Sequence, residues 1–193
     1  MSNEWYLDFV EDERWCYAPD LFSKDECEKI IKLCKDKGLQ QAEVEVKENS
    51  ETARSSKIHF VDSSDQNFEW IFRRIVDAIK ILNDKFYGFD LDKIEILQFT
   101  EYSSETADHY KKHIDTLMRS YGYRKLSFSV QLTSPDEYKG GDLNIYTQED
   151  PMVLSRDQGS LVAFPSFRLH EVTPVESGTR YALVGWVLGP KFK

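Results

Sequence analysis

Three residues of the sequence have the types and spacing of a metal site. His113 and Asp115 are two positions apart, and on an extended segment such residues project to the same side. With one distant histidine they would form a two-histidine, one-carboxylate set, which occupies one face of an octahedral Fe(II) ion and leaves three positions open. The chain has only four histidines, His59, His109, His113 and His170. His170, which follows a strand-like run, is the best third ligand. For the pair His113 and Asp115, the alternative is a surface histidine beside a surface aspartate without a metal.

The position of Arg180 predicts an anionic ligand next to that site. It stands ten residues after His170, in a run where Ala182, Val184 and Trp186 alternate onto the same face. An arginine on an apolar, inward face needs an anionic partner, and a planar guanidinium binds a carboxylate through two parallel hydrogen bonds. We therefore expect a carboxylate ligand at Arg180. A salt bridge to one of the 34 acidic side chains of the protein is the alternative.

A run of alternating residues predicts a strand with two different faces. Apolar and polar residues alternate through it, with Leu126, Phe128, Val130 and Leu132 on one face and Ser127, Ser129, Gln131 and Thr133 on the other. Because the second face is polar but uncharged, it suits the lining of a pocket. An edge strand with its hydroxyls in water is the alternative.

Two helices and several strands must position these side chains. A capping box of Ser23 and Glu26 opens a helix that Gly38 ends, and apolar residues at helical spacing predict a second helix over about 67–86. Beyond position 93 the pattern alternates, and further strands are expected at 94–102, 143–146, 160–164 and 180–188. His59 lies in an alternating run and is interpreted as structural. Two helices followed by many strands predict an α+β domain.

The length, composition and net charge of the chain bear on its number of domains, its location and its partners. At 193 residues and without a Pro/Gly/Ser-rich linker, the chain is expected to form one domain. No run approaches the apolar length of a membrane span, and the first residues lack the features of a signal peptide, so a cytoplasmic location is expected. Three cysteines, Cys16, Cys27 and Cys34, are too few for a disulfide framework. The net charge of -9 disfavours nucleic acid as a partner.

Three segments around the candidate site resemble one known family in order and spacing. They are residues 113–115 (His-Ile-Asp), 170–175 (His-Glu-Val-Thr-Pro-Val) and 178–183 (Gly-Thr-Arg-Tyr-Ala-Leu). Together they look like the signature of prolyl-4-hydroxylase-type 2-oxoglutarate oxygenases. Residues 140–143 and 159–166 extend the resemblance to roughly 93–190. More loosely, residues 19–23 resemble the family's amino-terminal segment, and Arg54-Ser55-Ser56 resembles a motif of its small bacterial and phage members.

The resemblance implies a fold and a set of ligands. The fold would be a double-stranded β-helix (a jelly-roll, cupin-like core) over about 93–190, braced by N-terminal helices within about 20–90. Fe(II) would be bound by His113, Asp115 and His170, and the far carboxylate of 2-oxoglutarate by Arg180. O2 would be the second co-substrate, and ascorbate is a further candidate. Additional contacts to the co-substrate are expected from Gln131 and Ser129, although many relatives have tyrosine at the position of Gln131. Tyr102, at the end of a predicted strand, is a further candidate contact to the co-substrate or the substrate, and a half-buried aromatic residue is the alternative.

The implied reaction is hydroxylation. Relatives that halogenate replace the metal-binding carboxylate with a small residue, whereas Asp115 is present here. The resemblance favours a peptidyl proline as the substrate, followed by a free amino acid or another small molecule. Candidate substrate contacts are Arg54, Arg119, Arg124 and Trp186, with His109 and Tyr110 near the entrance. A nucleic-acid demethylase of the same cofactor class and a non-catalytic metal-binding β-barrel are the alternatives, and no oligomeric state is implied.

Overall fold

The computed structural model describes residues 14–42, 53–116, 118–119 and 122–191, and within these ranges it contains two α-helices and fourteen strands. The side chains of residues 118 and 119 lie outside the described part. None of the helices in these ranges combines the length and the apolar character that a bilayer crossing requires.

The first helix, α1 (Lys24–Asp36), begins where the capping box predicts. The Ser23 hydroxyl accepts a hydrogen bond of 3.3 Å from the backbone N–H of Glu26, and the Glu26 carboxylate accepts one of 2.9 Å from the backbone N–H of Ser23. These bonds satisfy two N–H groups that the first turn would otherwise leave unpaired. After the helix, Gly38 has a φ of 89°, which redirects the chain.

The second helix, α2 (Glu69–Phe86), starts slightly later than predicted. A single 3-10 turn over Gln66–Phe68 precedes it. The carboxylate of Asp65 accepts a hydrogen bond of 3.0 Å from the backbone N–H of Asn67 and so caps this tighter turn. One face of α2, with Ile71, Ile75 and Leu82, is buried.

The strands form two antiparallel sheets. In chain order they are β1 (Cys16–Ala18), β2 (Gln40–Gln41), β3 (Arg54–Ser55), β4 (Lys57–Val61), β5 (Lys93–Ser103), β6 (His109–His113), β7 (Met118–Arg119), β8 (Gly122–Gln131), β9 (Tyr138–Gly140), β10 (Leu143–Tyr146), β11 (Pro151–Val153), β12 (Leu161–Pro165), β13 (Leu169–Val172) and β14 (Val175–Gly189). The larger sheet has the order β1-β12-β8-β14-β5-β4-β2, with β7 on β8 and β9 on β14. The smaller sheet has the order β11-β10-β13-β6-β3. The arrangement is a jelly roll.

Strand β8 lies inside the larger sheet, between β12 and β14, so the edge-strand alternative is wrong. Its apolar residues, including Phe128 and Val130, are fully buried in the core cluster that also contains residues of α1 and α2. Ser127 and Ser129 point the other way, into a cavity that residues of both sheets line. The strand ends at Gln131, two residues earlier than the alternating pattern.

Each face of the larger sheet has its own apolar cluster. Helix residues such as Ile30 and Ile71 pack with Phe99 on one side. On the other side, Tyr102, Leu143 and Phe164 belong to a second cluster that joins the two sheets. The candidate site residues lie beside this second cluster.

Candidate metal centre

Paired strands of the smaller sheet bring the three predicted ligands together. His113 is the last residue of β6, and Asp115 follows it after one residue. His170 lies on β13, which pairs with β6 so that His170 and His113 are direct neighbours. The candidate ligand atoms of the three residues lie within 4.8 Å of one another. The described ranges hold no other such group of three or more histidine, cysteine or acidic side chains.

Backbone carbonyls orient both imidazoles. Nδ1 of His113 lies 2.7 Å from the carbonyl oxygen of Lys111, and Nδ1 of His170 lies 2.9 Å from that of Arg168. A carbonyl oxygen only accepts, so Nδ1 carries the proton and a neutral ring presents a lone pair at Nε2. The two Nε2 atoms approach Asp115, His113 at 3.6 Å and His170 at 3.2 Å. Three electron-rich atoms directed at one point form a set that fits a divalent iron ion.

The electrostatics of the site favour the protonation states that metal binding requires. Burial lowers the pKa of His113 to about 4, and the charge of the neighbouring His170 adds to this effect. The negative charge of Asp115 acts in the other direction and raises the pKa of His113. Burial alone would raise the pKa of Asp115, but the contacts with His170, His113 and the Ser127 hydroxyl outweigh it and hold that pKa well below its usual range. At neutral pH His113 is therefore neutral and Asp115 is ionised.

Two serines hold the carboxylate of Asp115 in place. The Ser127 hydroxyl donates a hydrogen bond of 2.7 Å to Oδ2 of Asp115 and lies 3.0 Å from the Ser166 hydroxyl. The backbone N–H of Asp115 donates to the carbonyl of Ser166 at 2.9 Å. The segment after β6 is thereby attached to the larger sheet, and the carboxylate is oriented toward the imidazoles.

The metal centre opens into a cavity with an apolar wall and a polar wall. Leu143, Phe164 and Val172 line one part of it, and Gln98 and Ser129 line another. Phe164 also packs against His170, with ring centroids 4.8 Å apart. Such a cavity can hold a small polar ligand beside the metal while limiting the access of water.

Arg180 lines the same cavity and pairs with no acidic side chain among the described residues. It is 3% exposed, and its Nε donates a hydrogen bond of 3.1 Å to the amide oxygen of Gln131. In the part of the chain that the structure describes, no carboxylate pairs with its guanidinium, so the alternative of an internal salt bridge is wrong there. The Tyr102 ring, which also lines the cavity, lies 5.6 Å from the guanidinium carbon. The arrangement leaves Arg180 available to the carboxylate of a ligand.

The candidate substrate residues have different surroundings. Arg54 lines the cavity, and its guanidinium lies 4.8 Å from the centroid of the Tyr110 ring. Trp186 lines the cavity as well, and its Nε1 is buried without a hydrogen-bond partner among the described residues. Arg124 stacks on Trp186 at 3.9 Å and pairs with Glu95 at 2.5 Å.

Other predicted residues lie away from the cavity or beyond the described part. The side chain of Arg119 lies outside the described residues. His109 is in β6 with its ring against the carbonyl of Ala107, and His59 is in β4 near the carbonyl of Gly38. Neither belongs to the ligand cluster.

The sequence interpretation missed three contributions to the site. Tyr110 stacks on the His113 ring with a centroid distance of 3.6 Å, Ser166 supports Asp115 through Ser127, and Tyr138 contacts Gln131. The position of Tyr110, three residues before His113, placed it near the entrance but did not predict the stacking. No local pattern points to Ser166 or Tyr138.

Comparison with known proteins agrees with this geometry. A family model described as the 2OG-Fe(II) oxygenase superfamily matches residues 97–188. A PKHD-type hydroxylase of Prochlorococcus marinus (strain MIT 9515) is 34% identical over 143 residues, which is 74% of this chain and 59% of that protein. The aligned part of the chain thus corresponds to about three fifths of that relative's length.

Solved structures share the fold. A prolyl-4-hydroxylase of Pseudomonas putida has a TM-score of 0.72 at 20% identity, covering 92% of this chain and 94% of the other. A prolyl hydroxylase of Trichoplax adhaerens, in complex with a peptide of the hypoxia inducible factor oxygen degradation domain, has a TM-score of 0.72 at 17% identity and covers 91% and 84%. Residues 97–188 thus match the 2OG-Fe(II) oxygenase superfamily, which agrees with the family that the sequence motifs predict.

Proposed function

We propose that this protein is an Fe(II)- and 2-oxoglutarate-dependent dioxygenase that hydroxylates its substrate and releases succinate and CO2. The observation that carries the proposal is that one cavity contains both the His113, Asp115, His170 cluster and Arg180, a buried arginine without an acidic partner among the described residues. A metal-binding barrel without a co-substrate would have no need of that arginine.

His113, Asp115 and His170 would hold the iron. Their donor set suits Fe(II), and the hydrogen bonds at each Nδ1 fix the ring orientations before any metal binds. Ser127 holds the third ligand. With iron and 2-oxoglutarate bound, the site would supply oxidation chemistry in which the co-substrate loses CO2 and one atom of O2 enters the substrate as a hydroxyl group.

Arg180 would bind the far carboxylate of 2-oxoglutarate. Tyr102 and Ser129 line the cavity and are proposed as further contacts, whereas Gln131 would act through its hydrogen bond to Arg180. Leu143, Phe164 and Val172 would exclude water around the carbon chain of the co-substrate. The same residues would make ionic contact with Arg180 stronger, because the surroundings are of low dielectric constant.

A prolyl residue of a peptide is the proposed substrate. Two structural relatives carry the name prolyl hydroxylase or prolyl-4-hydroxylase, and one of them is in complex with a peptide. Arg54 and Trp186 are the best-placed substrate contacts, since both line the cavity and the Trp186 Nε1 needs an acceptor. Arg124 would support Trp186 through their stacking, and a role for Arg119 stays a prediction.

We also propose that the two helices brace the jelly roll within one domain. Buried residues of α1 and α2 share a core cluster with the larger sheet, which supports this organisation. The cavity lies on the opposite face of that sheet, so the helices would stiffen the site without touching it.

The function is tested by titrating 2-oxoglutarate anaerobically into the Fe(II)-loaded protein and following the visible charge-transfer absorption of the chelate. Saturable absorption is expected, and Arg180→Ala should weaken binding strongly because the far carboxylate loses its partner. Arg73→Ala is the matched control, since Arg73 is exposed on α2 and, in the described ranges, pairs with Glu69 alone. Iron binding without any absorption change would contradict the proposal. Formation of succinate with proline-containing peptides, compared with free proline, would then test the substrate class.

A further inference from the structure

Arg180 is held from behind by a chain of hydrogen bonds that begins at Tyr138. Gln131 lies between the two: its amide oxygen accepts a hydrogen bond of 3.1 Å from Nε of Arg180, and its amide nitrogen donates one of 2.9 Å to the Tyr138 hydroxyl. The same nitrogen donates to the carbonyl of Thr133 at 3.2 Å. Both ends of the Gln131 amide are therefore engaged, and the amide cannot rotate without breaking a buried hydrogen bond.

Tyr138 is itself fixed from a second side, by Arg156. The Arg156 guanidinium lies 4.3 Å from the centroid of the Tyr138 ring and donates a hydrogen bond of 3.1 Å to the Tyr138 carbonyl. It also pairs with Asp142 at 3.0 Å. Tyr138 is 3% exposed, so its ring has a single position that keeps these contacts.

The turn at Gly141 packs against both Tyr138 and Arg180. A β-carbon at Gly141 would lie 3.2 Å from Cδ of Arg180 and 3.4 Å from Cε2 of Tyr138. Tyr138 opens β9, which pairs with β14, the strand that carries Arg180. The tyrosine ring and the arginine side chain thus pack against the same backbone turn.

This arrangement determines how the guanidinium can meet a carboxylate. Because Nε is occupied by Gln131, only the two terminal nitrogens of Arg180 are left, and they have no partner in the part of the chain that the structure describes. A carboxylate in the cavity would therefore meet the guanidinium end-on, through two parallel hydrogen bonds that require a fixed guanidinium plane. The Gln131 hydrogen bond sets that plane.

We propose that Tyr138 is a positioning residue for 2-oxoglutarate, which acts through Gln131 to fix the guanidinium of Arg180 for end-on contact with the far carboxylate. This inference rests on the proposed function, because it concerns the co-substrate of that site. Tyr138 does not line the cavity itself, so it would touch neither the co-substrate nor the metal.

The test is Tyr138→Phe, which removes the hydroxyl and keeps the ring that Arg156 contacts. Calorimetric titration of 2-oxoglutarate into the Mn(II)-loaded protein measures binding without turnover. The dissociation constant is expected to rise roughly three- to tenfold, the effect of losing one intramolecular hydrogen bond. The dissociation constants for Mn(II) and for oxalate, a chelator without a far carboxylate, should not change. Tyr87→Phe is the matched control, since the Tyr87 hydroxyl bonds the carbonyl of Ala163 and its ring packs against the helix-side core cluster.

A second variant keeps the inference testable even if Tyr138→Phe does not fold. Gln131→Met retains the length of the side chain but removes its three amide hydrogen bonds, and it should weaken 2-oxoglutarate binding at least as much. If Tyr138 acts through Gln131, adding Tyr138→Phe to Gln131→Met should cause no further loss.

Three results would be decisive in different ways. Wild-type affinity in Tyr138→Phe, or in Gln131→Met when Tyr138→Phe does not fold, overturns the inference and leaves the proposed function intact. A fully additive loss in the double variant, or an equal loss of oxalate affinity, shows that Tyr138 has only a general structural role. A wild-type protein that binds Mn(II) but not 2-oxoglutarate contradicts the proposed function itself.

Discussion

Ser127 donates a hydrogen bond of 2.7 Å to Oδ2 of Asp115, although Ser127 lies in the larger sheet and Asp115 follows a strand of the smaller one. The histidines come from the smaller sheet, whereas Ser127 lies on β8 in the larger one. The geometry of the candidate metal centre therefore depends on how the two sheets pack, and not only on the segment that carries His113 and Asp115.

Ser127→Ala is expected to lower the affinity for Fe(II) or Mn(II) roughly 10- to 100-fold, the usual effect of removing a hydrogen bond that orients a metal ligand. The carboxylate would gain a rotational freedom that metal binding must remove. Calorimetric titration of Mn(II) measures the change. Ser155→Ala is the control, because Ser155 bonds the exposed Asp157 and lies outside the ligand cluster. Equal metal affinity in both variants would show that Ser127 does not position Asp115.

The stability of the metal-free protein should depend on pH through His113. The unfolded chain takes up a proton on this imidazole near pH 6.5, whereas the folded protein does so only near a pKa of about 4. Between these values the unfolded state binds more protons, so the free energy of unfolding falls as the pH falls from about 6.5 to about 4. Above about pH 6.5 the protonation of this group no longer changes the free energy of unfolding. The whole effect is on the order of 3 kcal/mol.

Urea unfolding of the metal-free protein at a series of pH values measures this dependence. His113→Gln should flatten the slope between about pH 6.5 and pH 4, because the variant has no imidazole to protonate at this position. A wild-type slope in His113→Gln would be inconsistent with a buried, neutral His113.

Gly141→Ala should weaken 2-oxoglutarate binding. Its φ of 64° disfavours alanine, and the added β-carbon would lie 2.9 Å from Cγ2 of Val175 and 3.2 Å from Cδ of Arg180. Gly38→Ala carries a similar conformational cost at a φ of 89°, but its β-carbon would meet nothing within 4 Å. Both variants are expected to lose about 1 kcal/mol of stability from backbone strain, while only Gly141→Ala should lose co-substrate affinity. Thermal unfolding and calorimetry separate the two effects.

Asp108→Asn should loosen the segment that carries Arg54. The Asp108 carboxylate accepts hydrogen bonds from the Ser55 hydroxyl, from the Thr106 hydroxyl at 2.8 Å and from the backbone N–H of Ser103 at 2.9 Å. An amide has only one accepting oxygen, so at least one of these buried bonds would be lost, at a cost of about 1–3 kcal/mol.

Hydrogen exchange at residues 54–56 tests this prediction. Exchange should become faster in Asp108→Asn and stay unchanged in Asp136→Asn, because Asp136 is exposed in a short 3-10 turn. Protection equal to that of the wild type would mean that Asp108 does not anchor the Arg54 segment.

Two of the three metal ligands and Arg180 could be predicted from local spacing, whereas His170 was selected from only four histidines. A histidine and an aspartate two residues apart at the end of a strand project to one side, and alternation along β14 places Arg180 on the inward face. The capping box at Ser23 is equally local, and the structure reproduces it. In each of these cases the relevant residues lie within a few positions of one another along the chain.

The surroundings of the site could not be predicted, because they depend on which strands become neighbours. The polar face of β8 allowed either an edge strand or a pocket lining, and only the pairing of β8 with β12 and β14 decides between them. Likewise, the contact of Tyr138 with Gln131 arises where the short β9 joins β14, and Arg124 meets Glu95 because β8 and β5 flank the same strand. Such contacts are set by topology, which a pattern along the chain does not contain.

The two faces of β8 also determine what kind of sequence change this strand can accept. Leu126 and Phe128 pack in the helix-side core, while Ser127 and Ser129 line the cavity. The two sets alternate along the strand without interruption. A conservative substitution disturbs one set. The insertion or deletion of a single residue within β8 would exchange the two sets, placing hydroxyls in the apolar core and phenylalanine beside Asp115. Changes in chain length should therefore be confined to the loop after Gln131, and the strand itself should keep its length.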